Sequence, residues 1–262
     1  MACAFLIIDP QNDFCSPDGA LFIPGSPQNC SNTAAFIRKN AAHIDSIHIT
    51  LDSHPSYHIA HPVFWKDADG AVPPPFTQIT YRDFAAGKFR PIDEAAAAKT
   101  EKYLQELEAK GRYNLILWPL HCLQGTGGMA VEKNIWQAAH DWELAHPFCN
   151  IDYTTKASNV YTEHYSALQA EVPDPEDTST LMNFTLINKL KKADRIIIAG
   201  QALSHCVANT VRDLSAFIPP ASFVLLKDCT SPVAGFEKNA QVFVQEMEKR
   251  GMTTSVSCEL QL

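Results

Sequence analysis

The sequence has no excess of positive charge, no long uninterrupted apolar run and no closely spaced cysteine pair. Its 262 residues include 21 Lys or Arg against 29 Asp or Glu, a formal net charge of −8. Neutralising phosphates takes a basic face, so this balance argues against a nucleic-acid binder. No apolar stretch is long enough to span a bilayer, which argues against a membrane protein. Met1-Ala2-Cys3-Ala4-Phe5 lacks the charged segment and long apolar stretch of a secretion signal. The eight cysteines (3, 15, 30, 122, 149, 206, 229, 258) are scattered and form no C-x-x-C pair. With no secretion signal they read as reduced thiols, and a cytoplasmic location is expected. Gly125-Thr126-Gly127-Gly128 lacks the Gly-Lys-Ser/Thr ending of a phosphate loop, so a bend is expected there rather than nucleotide binding. No repeat, low-complexity tract or linker interrupts the chain, and a single domain over 1–262 is expected.

What is present is an alternation of short apolar runs and helical patterns. Ala4–Ile8, Ser46–Leu51, Asn114–Leu117, Phe148–Thr154, Ile196–Ala199 and Phe223–Leu226 read as strands, with a short last one after Arg250. Helices are expected over 32–40, 91–110, 131–140, 159–169, 180–192, 204–217 and 235–250. The 91–110 helix is the clearest, with Pro at its start, Asp93 and Glu94 in its first turn, an alanine run and Gly111 as its stop. From about 62 the pattern dissolves into prolines and aromatics, a long excursion over about 62–110 that reads as a lid near a site. The alternation implies an α/β fold, three layers α-β-α, around a mostly parallel sheet of five to six strands. Ligands of such sheets bind beyond the C-terminal ends of the strands. Asp9, Asp52 with His54, His121, Lys156 and Cys206 each lie within a few residues of such an end.

Two sets of residues share that address. Asp9, Lys156 and Cys206 offer a base, a cation and a thiol, the parts of a cysteine nucleophile. Cys206 opens a helical pattern, and a helix N-terminus is expected to lower its pKa and to hold an oxyanion. Taken singly, Asp9 could cap a turn, Lys156 could be a solvated lysine and Cys206 a buried structural thiol. Asp52, His54 and His121 suit one divalent ion, zinc ahead of iron or manganese, with water in the open positions. His58 and His61 could supply a fourth ligand or line the pocket, and spacing does not decide between these. His43, His48, His140 and His146 have no partners in sequence and are expected to be structural or exposed. Phe14, Leu21 and Trp118 follow strand ends and could form a slot for a flat ring, although such residues are usually core.

Four stretches carry a resemblance: Asp9-Pro10-Gln11-Asn12-Asp13-Phe14, Asp52-Ser53-His54-Pro55, Trp118-Pro119-Leu120-His121-Cys122, and Gly200-Gln201-Ala202-Leu203-Ser204-His205-Cys206-Val207. With Lys156-Ala157 they resemble the isochorismatase-like cysteine hydrolase superfamily, a Rossmann-like fold, and within it the metal-dependent nicotinamidases. The resemblance implies Asp9 as general base and acid, Lys156 as thiolate stabiliser and Cys206 as nucleophile. It also implies backbone N–H groups of Ala202 and Cys206 as the oxyanion hole, next to a cis Gln201–Ala202 peptide. Asp52, His54 and His121 would hold the metal, and Phe14 and Trp118 would sandwich the ring of nicotinamide, hydrolysed to nicotinate and ammonia. It is compatible with a homo-oligomer. Gln201 stands where relatives usually carry an aliphatic residue, and Leu203-Ser204-His205 replaces a more acidic segment. These departures, with the long excursion, keep two other expectations open: another small amide, ureido or vinyl-ether substrate, or a silent metal- or ligand-binding protein.

Overall fold

The structure is a computed structural model, and it describes all residues, 1–262. Six parallel strands form the central sheet: β1 (Cys3–Ile8), β2 (Ser46–Asp52), β7 (Asp152–Lys156), β8 (Arg195–Gly200), β9 (Phe223–Leu226) and β10 (Thr253–Ser255). Their order is β10-β9-β8-β1-β2-β7. β1 is buried at every position, as its unbroken apolar run demands of a strand covered on both faces. Helices supply the two covering layers: α1 (Asn12–Cys15), α2 (Ser26–Asn40), α4 (Ala97–Lys110), α5 (Lys133–Ala145), α6 (Phe184–Leu190), α7 (Ala208–Leu214) and α8 (Glu237–Lys249). The mostly parallel three-layer sheet expected from the sequence is therefore present, and the last short strand with it. No helix is long and apolar enough to cross a membrane.

Register aligns the strand ends. Ile8 lies opposite Gly200, and Asp52 lies opposite Lys156. Gly200 is required there: its φ is +114°, and a Cβ would meet the Ile8 carbonyl oxygen at 1.9 Å. One step past β1, Asp9 takes a left-handed backbone (φ 45°), a conformation aspartate tolerates better than most residues.

Several local expectations differ from what is seen. Leu115–Ile116 (β6) does not join the central sheet; it pairs antiparallel with β4 (Gln78–Ile79) of the excursion. A two-residue apolar run followed closely by Pro119 carries no signal of which partner it takes. The excursion is itself folded: β3 (Trp65–Asp67) pairs with β5 (Phe89–Pro91), and α3 (Tyr81–Ala85) begins with a Thr80–Asp83 capping box. Pro91 closes β5, so the helix expected from it starts only at Ala97, after a turn capped by Asp93. β7 starts at Asp152, and Phe148 is fully exposed. No helix covers 159–169. Residues 162–168 are buried, and side chains take amides there: His164 N–H donates to Glu163 Oε1 at 2.7 Å and Ala167 N–H to Thr210 Oγ1 at 2.9 Å.

Candidate active site

Four of the expected residues sit at ends of central strands: Asp9 after β1, Asp52 closing β2, Lys156 closing β7, and Cys206 in the turn after β8. His121 arrives differently, on an irregular segment after β6. That segment is laid against the Asp52–His54 loop, His54 N–H donating to the Cys122 carbonyl at 3.1 Å and Gln124 N–H to the His54 carbonyl at 3.0 Å. Asp13 fastens it from below, accepting the Cys122 N–H at 2.6 Å. Gly128 packs against the same carboxylate, where a Cβ would come within 2.2 Å of it, so the glycine-rich stretch is a close-approach bend.

The structure brings Asp9, Lys156 and Cys206 together. Lys156 Nζ is 3.0 Å from Asp9 Oδ2 and 3.6 Å from Cys206 Sγ, and it donates to the His164 carbonyl at 2.9 Å and to Asp52. Thr50 Oγ1 donates to Asp9 Oδ1 at 2.6 Å and fixes that carboxylate. All three residues are buried. Burial disfavours the Lys156 charge, but Asp52 and Asp9 outweigh it and hold the ammonium well above its ordinary pKa. Burial pushes the Asp9 carboxyl up, with Lys156 offsetting only part of the rise.

Cys206 departs from expectation. It lies in a π-helical turn, Leu203–Val207, with α7 starting only at Ala208. Burial pushes its thiol well above the ordinary value; Lys156 opposes this, and the carboxylates of Asp9 and Asp52 add to it. The sulfur thus faces one cation and two carboxylates, a balance that favours the protonated thiol. The Gln201–Ala202 peptide is cis, and the Ala202 N–H donates to no protein acceptor.

Donor atoms of Asp52, His54 and His121 lie within 4.8 Å of one another, and so do those of His54, His58 and His61. Asp52 is positioned by Gln11, whose side chain bonds both the N–H and the carbonyl of residue 52 at 2.7 Å. His121 Nδ1 sits 2.8 Å from the Pro119 carbonyl, which selects the tautomer with a bare Nε2. Neither nitrogen of His54 and not Nε2 of His61 has a hydrogen-bond partner, although all are buried. Orphaned buried imidazole nitrogens are costly unless something accepts their lone pairs. The donor set therefore fits a divalent ion. His58 differs: Nε2 faces the Thr162 carbonyl at 3.1 Å and Nδ1 accepts the Ala60 N–H at 3.2 Å, which leaves no lone pair to share. Burial lowers both His58 and His61 to a pKa of about 3, so both are neutral.

Phe14, Leu21 and Trp118 line one pocket with Cys206, Ala202 and His121. The Phe14 ring lies 5.3 Å from His121, and Trp118 Nε1 donates to Tyr165 at 3.0 Å. Phe76, from the excursion, stands edge-on to Trp118 at 6.0 Å, while no excursion residue lines the pocket itself. Gln201 turns away, donating to Asn29 Oδ1 at 3.2 Å and accepting the Ser231 N–H at 3.2 Å. Sequence reasoning missed Glu163, a buried carboxylate 3.8 Å from His54 that also lines the pocket. It follows no strand and no motif, so nothing local marked it. Of the histidines set aside, His48 is buried against Asp152 at 2.9 Å and His146 bonds the Trp142 carbonyl at 2.7 Å.

Fold and site together define a class: a three-layer α/β protein with a buried Asp–Lys–Cys cluster beside a histidine-rich pocket. No family model matches the chain. A curated relative, the nicotinamidase of Saccharomyces cerevisiae, is 27% identical over 234 residues, covering 87% of this chain and 88% of the relative. Among solved structures, yeast nicotinamidase bound to the inhibitor nicotinaldehyde superposes with a TM-score of 0.67 at 20% identity, over 97% of this chain and 99% of that one. The pyrazinamidase of Pyrococcus horikoshii in complex with zinc does so with 0.56 at 19% identity, over 98% and 99%. The resemblance to the nicotinamidase branch of the superfamily thus holds along nearly the whole chain.

Proposed function

We propose that this protein is a metal-dependent cysteine amidohydrolase whose substrate is nicotinamide, converted with water to nicotinate and ammonia. The observation that carries the proposal is one buried ammonium, Lys156 Nζ, lying 3.0 Å from a carboxylate and 3.6 Å from a thiol that lines an aromatic-walled pocket. The similarity to yeast nicotinamidase supports the choice of substrate.

Asp9, with its raised proton affinity, takes the Cys206 proton as the sulfur attacks the carboxamide carbon. Lys156 stabilises the sulfur's developing charge, and the backbone N–H groups of Ala202 and Cys206 receive the oxyanion. Asp9 then returns the proton to the amide nitrogen, the C–N bond breaks, and ammonia leaves a thioester on Cys206. Water attacks next: Asp9 takes its proton, the C–O bond forms, the C–S bond breaks, and the proton returns to the sulfur. Phe14, Leu21 and Trp118 hold the flat ring and exclude water. Asp52, His54 and His121 would hold a divalent ion, zinc being the one found with the pyrazinamidase, and His61 Nε2 is available as a further ligand. Such an ion supplies a Lewis acid for the ring nitrogen, which orients the carboxamide toward Cys206. The chain acts as one domain, the excursion packing through Phe76 against the pocket residue Trp118.

Release of ammonia and nicotinate from nicotinamide by the purified protein, set against Cys206→Ala, tests this reading. Turnover by the parent and none by the variant is expected; equal rates would remove Cys206 from the chemistry. Gln201, one reason to consider other substrates, lies outside the pocket lining, so no second substrate is favoured.

A further inference from the structure

Tyr113 lines one cavity and packs against a wall residue of another. Its ring stacks on His205, a wall of the catalytic pocket, at 5.5 Å, and its hydroxyl bonds the Ser204 carbonyl at 3.3 Å. It also lines a separate cleft of about 580 Å³ with Arg112, Arg212, Lys238, Glu246 and Arg250. We propose that this cleft between the end of α4, α7 and α8 binds a phosphate-bearing small molecule of nucleotide size.

Charge is the first argument. The chain carries −8 overall, yet this cleft gathers four cations against one carboxylate. Three of the four are ion-paired, two of them to one carboxylate, and Lys238 is not. Glu246 is shared, 2.8 Å from Arg212 Nε and 3.9 Å from Arg250 Nη1. Arg112 Nη1 reaches Asp213 at 2.9 Å, while Lys238 takes part in no ion pair. A guanidinium carries five N–H donors in a planar fork, so one ion pair does not exhaust it, and the fork suits phosphate oxygens.

Rigidity and size are the second argument. The Arg212 side chain is only 23% exposed, and its guanidinium lies over the Phe243 ring at 5.3 Å. A cation held in place loses little freedom on binding, unlike a surface lysine. The volume falls within the range of small-molecule pockets, about 300–1,000 Å³, and is far more than a lone inorganic ion fills. Through Tyr113 a bound anion would touch the Ser204-His205 segment that precedes Cys206. The proposal does not rest on the amide hydrolysis above.

Calorimetric titration of the full chain with AMP and with pyrophosphate tests it. Saturable one-to-one binding is expected, weakening as salt is added because the attraction is electrostatic. Lys238→Ala and Arg112→Gln should each weaken it at least tenfold, and Cys206→Ala should leave it unchanged, since the anion does not occupy the catalytic pocket. Lys238 takes part in no ion pair, so its loss leaves the fold intact, and matching thermal transitions of parent and variant check this. No saturable heat with either probe would overturn the proposal. So would equal affinity in both cleft variants, or loss of binding in Cys206→Ala.

Discussion

Glu171 is a buried carboxyl whose ionisation opposes folding, and replacing it isolates that cost. It is 4% exposed. Burial raises its pKa from 4.5 to about 7, with Arg112 countering the rise and Asp213 adding to it. Below pH 4.5 both folded and unfolded chains hold the proton. As pH rises from 4.5 to 7 the unfolded chain releases it while the folded chain keeps it, so stability falls; above 7 both are ionised and the loss is complete. One pKa unit is worth about 1.4 kcal/mol, so the full loss is about 3 kcal/mol. Glu171→Gln keeps the shape of the protonated form and cannot ionise. Urea unfolding of parent and variant at pH 5, 6, 7 and 8 removes the contribution of every other titrating group by difference. The variant should gain on the parent by about 2–3 kcal/mol between pH 5 and pH 8. A difference that stays flat across that range would refute the buried-carboxyl argument, and one that grows toward low pH would reverse its sign.

Other expectations concern the site and the sheet. Asp9→Asn removes the proton acceptor and should lower kcat by about 10²- to 10⁴-fold while the protein still folds, as read by nicotinamide turnover and thermal unfolding. His121→Ala should cut the metal bound per chain, measured by elemental analysis, and His61→Ala should cut it less than His54→Ala; His58→Ala should leave it near the parent value. Gly200→Ala should cost several kcal/mol or prevent folding, because a β-carbon at that φ meets the Ile8 carbonyl. A stable, fully active Gly200→Ala protein would contradict the close β1–β8 approach.

The parallel sheet and four of the five strand-end residues were legible in the chain. Buried parallel strands are continuous apolar runs, and Pro10 or a polar switch marks where each one stops. Cys206 and Lys156 could be placed for that reason. His121 could not be: its segment has no strand in the main sheet, and only the long-range bonds of residues 122–124 to His54 bring it in. The thiol's raised pKa was likewise hidden, since it depends first on burial and then on Asp9 and Asp52, distant in sequence and opposing Lys156. Glu163 and the irregular run around it escaped because its amides are satisfied by the side chains of Thr210, Ser166 and Glu163 itself. A helical pattern of apolar residues does not show where a backbone's hydrogen bonds go.

Acid-quenched reaction mixtures analysed by peptide mass spectrometry bear most directly on the mechanism. During turnover of nicotinamide, the peptide containing Cys206 should carry a nicotinoyl group, absent before substrate is added and absent in Cys206→Ala. Steady production of nicotinate with Cys206 unmodified at every time point, or with the acyl group on another residue, would contradict it.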